Sequence, residues 1–300
     1  MKTGGRAYWR FCPAWAGNRD PGRLSVRRRN RNLHAFSRLI GSALLLVLLD
    51  RSATGQTSLQ FARLAKVPDQ YVGGEILKVV YARLSLPIEF VDLPAGRALT
   101  LSNSGVLDGE VQRVAGITRN FPALIQVMTP INFIELAAFT KRLDLTPQGW
   151  ASLNDYDVGI VRGVGSSEAG TKGMARVQVA NELDTLIAVL DADRVDLIVT
   201  DLLSGRVQLR RMKLTERIHP LLPPLERIPV YHYLHQRHED LVARVDKVIR
   251  CLNSSGDLAR LRAALVKQVL DEASLASPPT PEAGISAPPA TSLPGLSSRC

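Results

Sequence analysis

Two carboxylates and one cation lie within six residues of each other in the segment Ser102–Gly116, "SNSGVLDGEVQRVAG". Asp108, Glu110 and Arg113 are residue types that can act as general acid and base, hold a metal ion, or clamp a charged ligand. A solvated turn between two glycines has the same composition. The residue types alone leave these interpretations open, and the choice depends on the helices and strands that position the three side chains.

The positive charge of the chain is concentrated at one end. The 300 residues carry a net charge of +10, but residues 1–55 contain eleven Lys or Arg and only two Asp, which accounts for nine of these charges. The remaining body is nearly neutral, and the basic run Arg206–Arg217 contains no aromatic residue on which a base could stack. We therefore expect a solvated helix face there and no nucleic-acid partner.

The basic N-terminus leads into an apolar stretch, Leu39–Leu49, followed by small residues around Ala53 and Gly55. This order is typical of an export signal. A membrane-spanning helix needs about 20 apolar residues, so a cleaved leader over residues 1–55 and a periplasmic location are predicted. Retention of the leader as a membrane anchor is the alternative.

The body alternates between strand and helix patterns. Leu59–Ala65 and Ile88–Leu93 read as strands, and a helix is predicted over Gly74–Leu84, whose apolar residues share one face. The same alternation continues to a helix ending near Gly256 and one more helix behind it, which predicts an α/β protein with a parallel or mixed sheet. Pro, Ser, Ala and Gly dominate residues 274–300, where a disordered tail is expected.

Several segments resemble, in order, the bacterial extracellular solute-binding proteins of family 3, the periplasmic polar amino-acid-binding components of ABC transporters. They are "EILKVVYARLSLPIEF", "LDGEVQR", "DVGIVRG", "LDADRVDLIVTD" and "VYHYLHQRHEDLVARVDKVIRCLNSSGDLARL". The resemblance implies a two-lobed periplasmic-binding-protein-like fold of type II with two crossover strands. Lobe one would comprise residues 56–139 and 229–273, and lobe two residues 140–228, with a ligand in the cleft between them.

The resemblance also implies two charged contacts to a ligand. An arginine after the third strand of lobe one pairs with the ligand carboxylate in this family, and Arg113 and Arg119 are both candidates here, with Arg119 closer to the family spacing. Asp201, at the end of "DLIVTD", matches the aspartate that holds the ligand ammonium. A carboxylate that ends a strand and opens a helix is also an ordinary N-cap, so both roles stay open for Asp201.

Two further contacts are implied with departures from the family pattern. Ser166 and Ser167 lie in the loop that holds a ligand carboxylate, but Val164 and Gly165 stand where a threonine is usual. Tyr71 is the aromatic residue available in the first loop, which is short and lacks the usual Pro-Pro-aromatic segment. Asp193 replaces a turn glycine, which the fold tolerates because Asp adopts left-handed backbone conformations.

The expected partners are a small polar ligand and an ABC permease, with the protein itself a monomer. We expect no cofactor, no metal and no enzymatic activity. His232, His235 and His238 do not converge if they lie on a strand, and the sequence has none of the common nucleophile, zinc or phosphate-binding motifs. A ligand-sensing module on the same fold, or an enzyme using Glu110 or Asp201 for proton transfer, are the alternatives. Cys251 and Cys300 could form a disulfide, although free thiols are favoured.

Overall fold

The structure, a computed structural model, describes residues 58–275, so the predicted leader and residues 276–300 of the predicted tail lie outside the described residues. Its strands are β1 (Leu59–Leu64), β2 (Ile88–Leu93), β3 (Gly109–Val114), β4 (Leu124–Gln126), β5 (Asn132–Thr140), β6 (Val158–Val161), β7 (Val177–Ala180), β8 (Leu197–Asp201), β9 (His219–Pro220) and β10 (Glu226–His235). Its α-helices are α1 (Pro68–Ala82), α2 (Ala95–Asn103), α3 (Gly165–Gly170), α4 (Leu183–Asp191), α5 (Leu202–Arg211), α6 (Glu239–Ser254) and α7 (Asp257–Leu275). No helix in this part of the chain has the length and apolar character to cross a membrane.

Most elements follow from the local sequence, but the first helix begins earlier than predicted. β2 has the predicted bounds, and Asp193 has a φ of 57°, the left-handed conformation expected of it. Helix α1 begins at Pro68 and not at Gly74, because a proline in the first helical turn fixes φ near the helical value and gives up only an amide that has no partner there. The short first loop is therefore one turn of helix, and that part of the prediction was wrong.

The sheet has the order β2-β1-β3-β10-β5-β8-β6-β7, with β4 paired to β10 and β9 paired to β5. Strand β1 is parallel to β2 and β3, and β6 is parallel to β7 and β8. The central strands β10 and β5 are antiparallel to their neighbours. Two parallel groups of strands are thus joined by an antiparallel pair.

Strands β5 and β10 run through both groups. The first half of β5, Asn132–Leu136, pairs with β10, and its second half, Leu136–Thr140, pairs with β8. The other half of β10 pairs with β3 and β4. The lobe boundaries predicted after Phe139 and Ile228 fall within these two strands.

A β-bulge in β3 decides which of its side chains share a face. Arg113 lies opposite Tyr231 and Glu110 lies opposite Tyr233, so two residues of β3 face the single residue His232. The additional residue brings Glu110 and Arg113, three positions apart, to the same side of the strand. Their ion pair depends on this irregularity.

His232 is fully buried and bonded to the bulge. Its Nδ1 lies 2.7 Å from the carbonyl oxygen of Glu110 and 3.2 Å from that of Val111, so Nδ1 carries the hydrogen and donates it. The Tyr81 hydroxyl then donates to Nε2 over 2.8 Å, and Phe61 packs edge-on against the imidazole. Burial lowers the pKa of His232 to about 4, so the ring is neutral.

Helix α5 contributes to two hydrophobic cores. One core lies between α1, α6, α7 and the β1-β3-β10 strands, and the other between α4 and the β5 and β8 strands. Leu202 and Leu209 of α5 belong to the second core, whereas Leu203 and Val207 belong to the first. The start of α5 is therefore fixed close to α1 and α7.

Cys251 lies on α6 and takes part in a disulfide. The free thiol favoured from the sequence was thus the wrong alternative for this residue. Its side chain is half-buried. Both other cysteines of the chain lie outside the described residues.

Candidate functional site

Asp201 lies at the carboxyl end of β8, where the two strand groups meet. Its partner in the neighbouring strand is Leu136, at the middle of β5. Oδ2 accepts a hydrogen bond of 2.7 Å from the backbone amide of Ser204, so Asp201 is the N-cap of α5. The capping role left open by the sequence is present, and it leaves Oδ1 available to a ligand.

Asp69 lies beside Asp201, in the first turn of α1. It is only 2% exposed, and neither of its carboxyl oxygens forms a hydrogen bond with another described residue. The nearest cation is Arg262 of α7, whose Nη2 is 3.9 Å from Oδ1. Burial and the Asp201 carboxylate raise the pKa of Asp69 well above its usual range, and Arg262 and the Asn132 side chain offset this only in part.

Three carboxamides fix the backbone at the start of α1. Gln112 donates to the carbonyl oxygen of Asp69 over 2.9 Å, and Gln70 donates to the carbonyl oxygen of Gln112 over 2.9 Å. Asn132 donates to the Gln112 side chain over 3.3 Å. These bonds tie α1 to β3 and β5, so the position of the Asp69 carboxyl is set by the sheet.

Arg262 is held by contacts other than the acids near it. Its Nε donates to Asn132 over 2.7 Å and its Nη2 to the carbonyl oxygen of Phe133 over 3.3 Å. The guanidinium lies 3.7 Å from the centre of the Phe133 ring, and that of Arg227 lies 4.0 Å from the same ring. Arg227 in turn pairs with Glu135 over 2.7 Å. Arg262 is thus held in place by two hydrogen bonds and by its contact with the Phe133 ring.

A cavity of about 100 Å³ lies between α5, α7 and β5. Asp201, Glu135, Arg206 and Arg262 provide its charged lining, and three apolar side chains of α5 and α7 complete it. At roughly 30 Å³ per water it holds about three water molecules, or a single small functional group of a ligand. Asp69 lies 3.9 Å from Arg262, one of the charged residues that line this cavity.

Arg113 and Glu110 form a closed structural cluster. Arg113 donates to Glu110 through Nε over 2.8 Å and to the carbonyl oxygen of Ala95 over 3.3 Å. Ser102 donates to the other oxygen of Glu110 over 2.8 Å. Burial raises the pKa of Glu110, and the ion pair with Arg113 opposes this shift. The donors of Arg113 that a ligand carboxylate would need are largely engaged.

Arg119, in contrast to Arg113, has a guanidinium whose donors are not engaged by other described residues. It ends the short 3-10 helix Ile117–Arg119 that follows β3, and its side chain is exposed. Its side chain forms no hydrogen bond or ion pair with the rest of residues 58–275. Its guanidinium is therefore free to pair with a carboxylate.

Ser166 and Ser167 lie at the start of α3, as the sequence predicted for the loop after β6. Ser167 is buried, and its hydroxyl has no hydrogen-bond partner among the described residues. The loop amide of Gly163 already donates to the carboxylate of Glu168 over 2.7 Å. A ligand carboxylate would have to compete with Glu168 for this amide.

Tyr71 lies on α1 and not in a loop. Its ring is half-buried, with the Arg63 guanidinium 5.8 Å from its centre. Burial, Glu75 and Glu272 raise the pKa of the Tyr71 hydroxyl to about 12, although Arg63 opposes them. The structure thus surrounds Tyr71 with charged side chains of β1, α1 and α7.

Asp108 is the anchor of a second closed cluster. Its Oδ2 accepts the Gln60 amide over 2.6 Å, and its Oδ1 contacts Arg237 and His238. Burial alone would raise the pKa of Asp108, but these three donors together lower it. Asp108 therefore joins β1 to the segment after β10. Within residues 58–275 no three His, Cys, Asp or Glu side chains are grouped to hold a metal ion.

Asp69, Asn132 and Arg262 were missed by the sequence analysis. Asp69 follows Pro68, and this pair is a recognisable helix start that could have placed the carboxylate in a first turn. Asn132 and Arg262 carry no such local signal, since they meet only through the packing of α7 on β5.

No family model matches the chain. An uncharacterized protein of Shewanella oneidensis is 24% identical to it over 196 residues, which is 60% of this chain and 70% of the relative. This identity is too low to assign a family.

Solved structures resemble the chain more extensively. A GluR0 ligand-binding core in complex with L-glutamate is 14% identical, with a TM-score of 0.57, over 70% of this chain and 98% of that one. An amino acid ABC transporter substrate-binding protein from Streptococcus pneumoniae, bound to L-arginine, is 17% identical, with a TM-score of 0.54, over 72% and 97%. A histidine kinase sensor domain with similarity to periplasmic binding proteins is 16% identical, with a TM-score of 0.53, over 70% and 96%.

At these identities the likeness concerns the fold. Ligands of open α/β sheets bind beyond the carboxyl ends of the strands, which is where Asp201 and the start of α1 lie. The predicted fold class is confirmed: the chain has the two-lobed periplasmic-binding-protein-like α/β fold with two crossover strands, shared with amino-acid-binding proteins and a sensor domain.

Proposed function

We propose that this protein is an exported, non-catalytic solute-binding protein of family 3, which captures a small polar metabolite between its lobes for an ABC permease. An amino acid is the first candidate ligand. The observation that carries this proposal is the pair Asp69 and Asp201 at the meeting point of the strand groups, where carboxyl oxygens outnumber the donors that reach them. An ammonium group supplies up to three N–H donors and a positive charge to such a pair.

Arg119 is the candidate for the opposite end of the ligand. It is exposed, follows β3 as the family resemblance implies, and has no competing acid among the described residues. A guanidinium donates two parallel hydrogen bonds to one carboxylate and stays charged at any relevant pH. Arg113 is less suited because Glu110 already occupies it. Ser166, Ser167 and Tyr71 remain proposed contacts of secondary weight.

The structural neighbours support the same ligand class. The protein from Streptococcus pneumoniae binds L-arginine and the GluR0 core binds L-glutamate. Both ligands carry an α-ammonium and an α-carboxylate, the two groups that Asp201 and Arg119 would take here. The proposal extends to a periplasmic monomer that hands its ligand to a permease.

Isothermal titration of the full chain against the twenty amino acids and a set of organic acids tests the proposal. We expect at least one amino acid to bind, and Arg119→Ala to weaken it roughly 10- to 100-fold, as is usual when a charged hydrogen bond is lost. Arg244→Ala is the matched control, since Arg244 is an exposed arginine of α6. No binding across the panel, or equal affinities of the two variants, would contradict the proposal.

A membrane-anchored ligand-sensing module on the same fold is the second candidate. It is favoured by the matching histidine kinase sensor domain and by a matching BvgS domain from Bordetella pertussis. Mass spectrometry of the mature N-terminus discriminates the two functions. A start near Gln56 supports a free transport protein, whereas an intact Leu39–Leu49 segment supports the anchored sensor.

A further inference from the structure

Asp69 at the start of α1 and Asp201 at the end of β8 both lie beside Arg262, whose Nη2 is 3.9 Å from Asp69 and which lines the same cavity as Asp201. Burial and mutual repulsion both oppose a second negative charge at this place. The two carboxyls differ in the hydrogen bonds that they accept. Oδ2 of Asp201 accepts the Ser204 amide, whereas neither oxygen of Asp69 accepts a bond from any residue in the described part of the chain.

The polar groups packed around Asp69 are directed elsewhere. Gln112 of β3 directs its amide to the carbonyl oxygen of Asp69, and Asn132 of β5 donates to the Gln112 side chain, with a smaller interaction that lowers the pKa of the Asp69 carboxyl. Arg262, from α7, lies 3.9 Å from both Asp69 and Glu135 and gives its hydrogen bonds to other atoms.

Two further charges lie on the cavity side. Arg206 of α5 lines the cavity together with Asp201, and Glu135 of β5 forms its close ion pair with Arg227. Neither Arg206 nor Arg262 donates a hydrogen bond to the Asp69 carboxyl. Two ionised carboxylates are acceptors only, so they can bond to each other only when one of them carries a proton.

We propose that Asp69 and Asp201 share one proton, and that a cationic group of the ligand, an ammonium or a guanidinium, displaces this proton on binding. This inference rests on the proposed function and names the charge class of its ligand. The O–H bond of the protonated carboxyl breaks, the proton passes to solvent, and the N–H donors of the ligand take its place. The pair changes from one negative charge to two while the ligand adds one positive charge, so the site keeps its net charge.

The exchange has two consequences. The ligand must carry a cation, so organic acids without an amino group are excluded. The affinity must also depend on pH, because a proton competes with the ligand. As the pH falls below the pKa of Asp69, affinity decreases by up to tenfold per pH unit; above that pKa it is constant.

The first test needs no ligand. Carboxyl ¹³C shifts of the ¹³C-aspartate-labelled full chain are followed from pH 4 to 9, with Asp69 assigned through Asp69→Asn. We expect Asp69 to titrate well above the usual value of about 3.9, and this midpoint to fall in Asp201→Asn. Asp144→Asn, at an exposed aspartate, is the control and leaves the midpoint unchanged. An Asp69 midpoint near 4, or one insensitive to Asp201→Asn, would overturn the shared proton.

The second test counts the protons released on binding. L-Arginine, L-glutamine and agmatine are titrated calorimetrically into the full chain, one pH unit below the Asp69 midpoint, in two buffers that hold this pH and differ in ionisation enthalpy. We expect close to one proton released by wild type and Asp144→Asn, and none by Asp69→Asn, whose carboxamide cannot lose a proton in this range.

Binding with equal proton release in all three proteins would overturn the exchange but leave the proposed function standing. If none of the three compounds binds, and neither does the amino-acid panel, the proposed function fails and the exchange fails with it. The carboxyl titration then still decides whether the proton is shared.

Discussion

Two pairs of acids in this protein differ in how they are partnered. Asp108 and Glu110, near the start of β3, each have a full set of donors from a cation and from an amide or hydroxyl group. Asp69 and Asp201, at the meeting point of the strand groups, share one distant cation and one backbone amide. Asp108 and Glu110 belong to the segment Ser102–Gly116, whose residue types made it the first candidate for catalysis or ligand binding.

The difference shows which acids hold the fold and which are available to a ligand. A buried carboxylate with satisfied oxygens contributes to stability only while its partners stay, whereas one without donors is destabilising in the free protein. Under-partnered polar groups in a native interior call for a functional explanation. Asp69 and Asp201 are therefore better candidates for ligand binding than Asp108 and Glu110.

The largest expected effect is the loss of a satisfied acid. Glu110→Ala leaves the Arg113 guanidinium, whose side chain is only 10% exposed, without its counter-ion. Breaking a buried ion pair from one side typically costs about 3–5 kcal/mol, so we expect a loss of that size in the free energy of unfolding. Urea denaturation measures it, with Glu89→Ala as the exposed control on β2. A loss below about 1 kcal/mol would show that the cluster is not structural.

The next effect concerns acid stability and His232. Its folded-state pKa of about 4 lies below the unfolded value of 6.5, so the unfolded chain binds the proton more readily. Stability from this residue is complete above pH 6.5 and decreases as the pH falls towards 4, by about 3 kcal/mol in total. Denaturation of wild type and His232→Gln across pH 4–8 measures the difference. Parallel pH profiles of the two proteins would contradict the assignment.

The stability contribution of Asp69 should depend on pH in the direction opposite to that of His232. The folded-state pKa of Asp69 is raised, so folding becomes less favourable as the pH rises from the unfolded value of about 3.9 through the folded one. Asp69→Asn removes this dependence, and we expect it to raise the free energy of unfolding by about 1–3 kcal/mol at pH 8 and by little at pH 4. Thermal melts at both pH values measure it. Destabilisation at pH 8 would place Asp69 among the structural acids.

The smallest effect separates the two roles of Asp201. Asp201→Ala removes the cap of α5 and should cost about 1 kcal/mol, whereas Asp201→Asn keeps the acceptor for Ser204 and should be nearly neutral. Chemical denaturation of both variants measures this difference, and calorimetry measures ligand affinity. If Asp201→Asn binds ligand as wild type does, capping is the whole role of this residue.

Local patterns predicted most elements because each depends on neighbouring residues. Strand β2, the end of β8 at Asp201 and the left-handed Asp193 follow from periodicity and turn chemistry. Helix α1 was predicted too short because the apolar period begins only after its first turn. That error placed Tyr71 in a loop and hid Asp69 in what was taken to be a connecting segment.

The sequence by itself determined the α/β class, the concentration of positive charge in residues 1–55, and a carboxylate at the end of β8. Only the tertiary structure decided the partners of each acid. Asp108 meets Arg237 across 129 positions of the chain, Glu110 reaches Arg113 through a β-bulge, and Asp69 meets Asp201. Such contacts depend on strand register and on the packing of α1, α5 and α7, and a local period in the sequence contains neither.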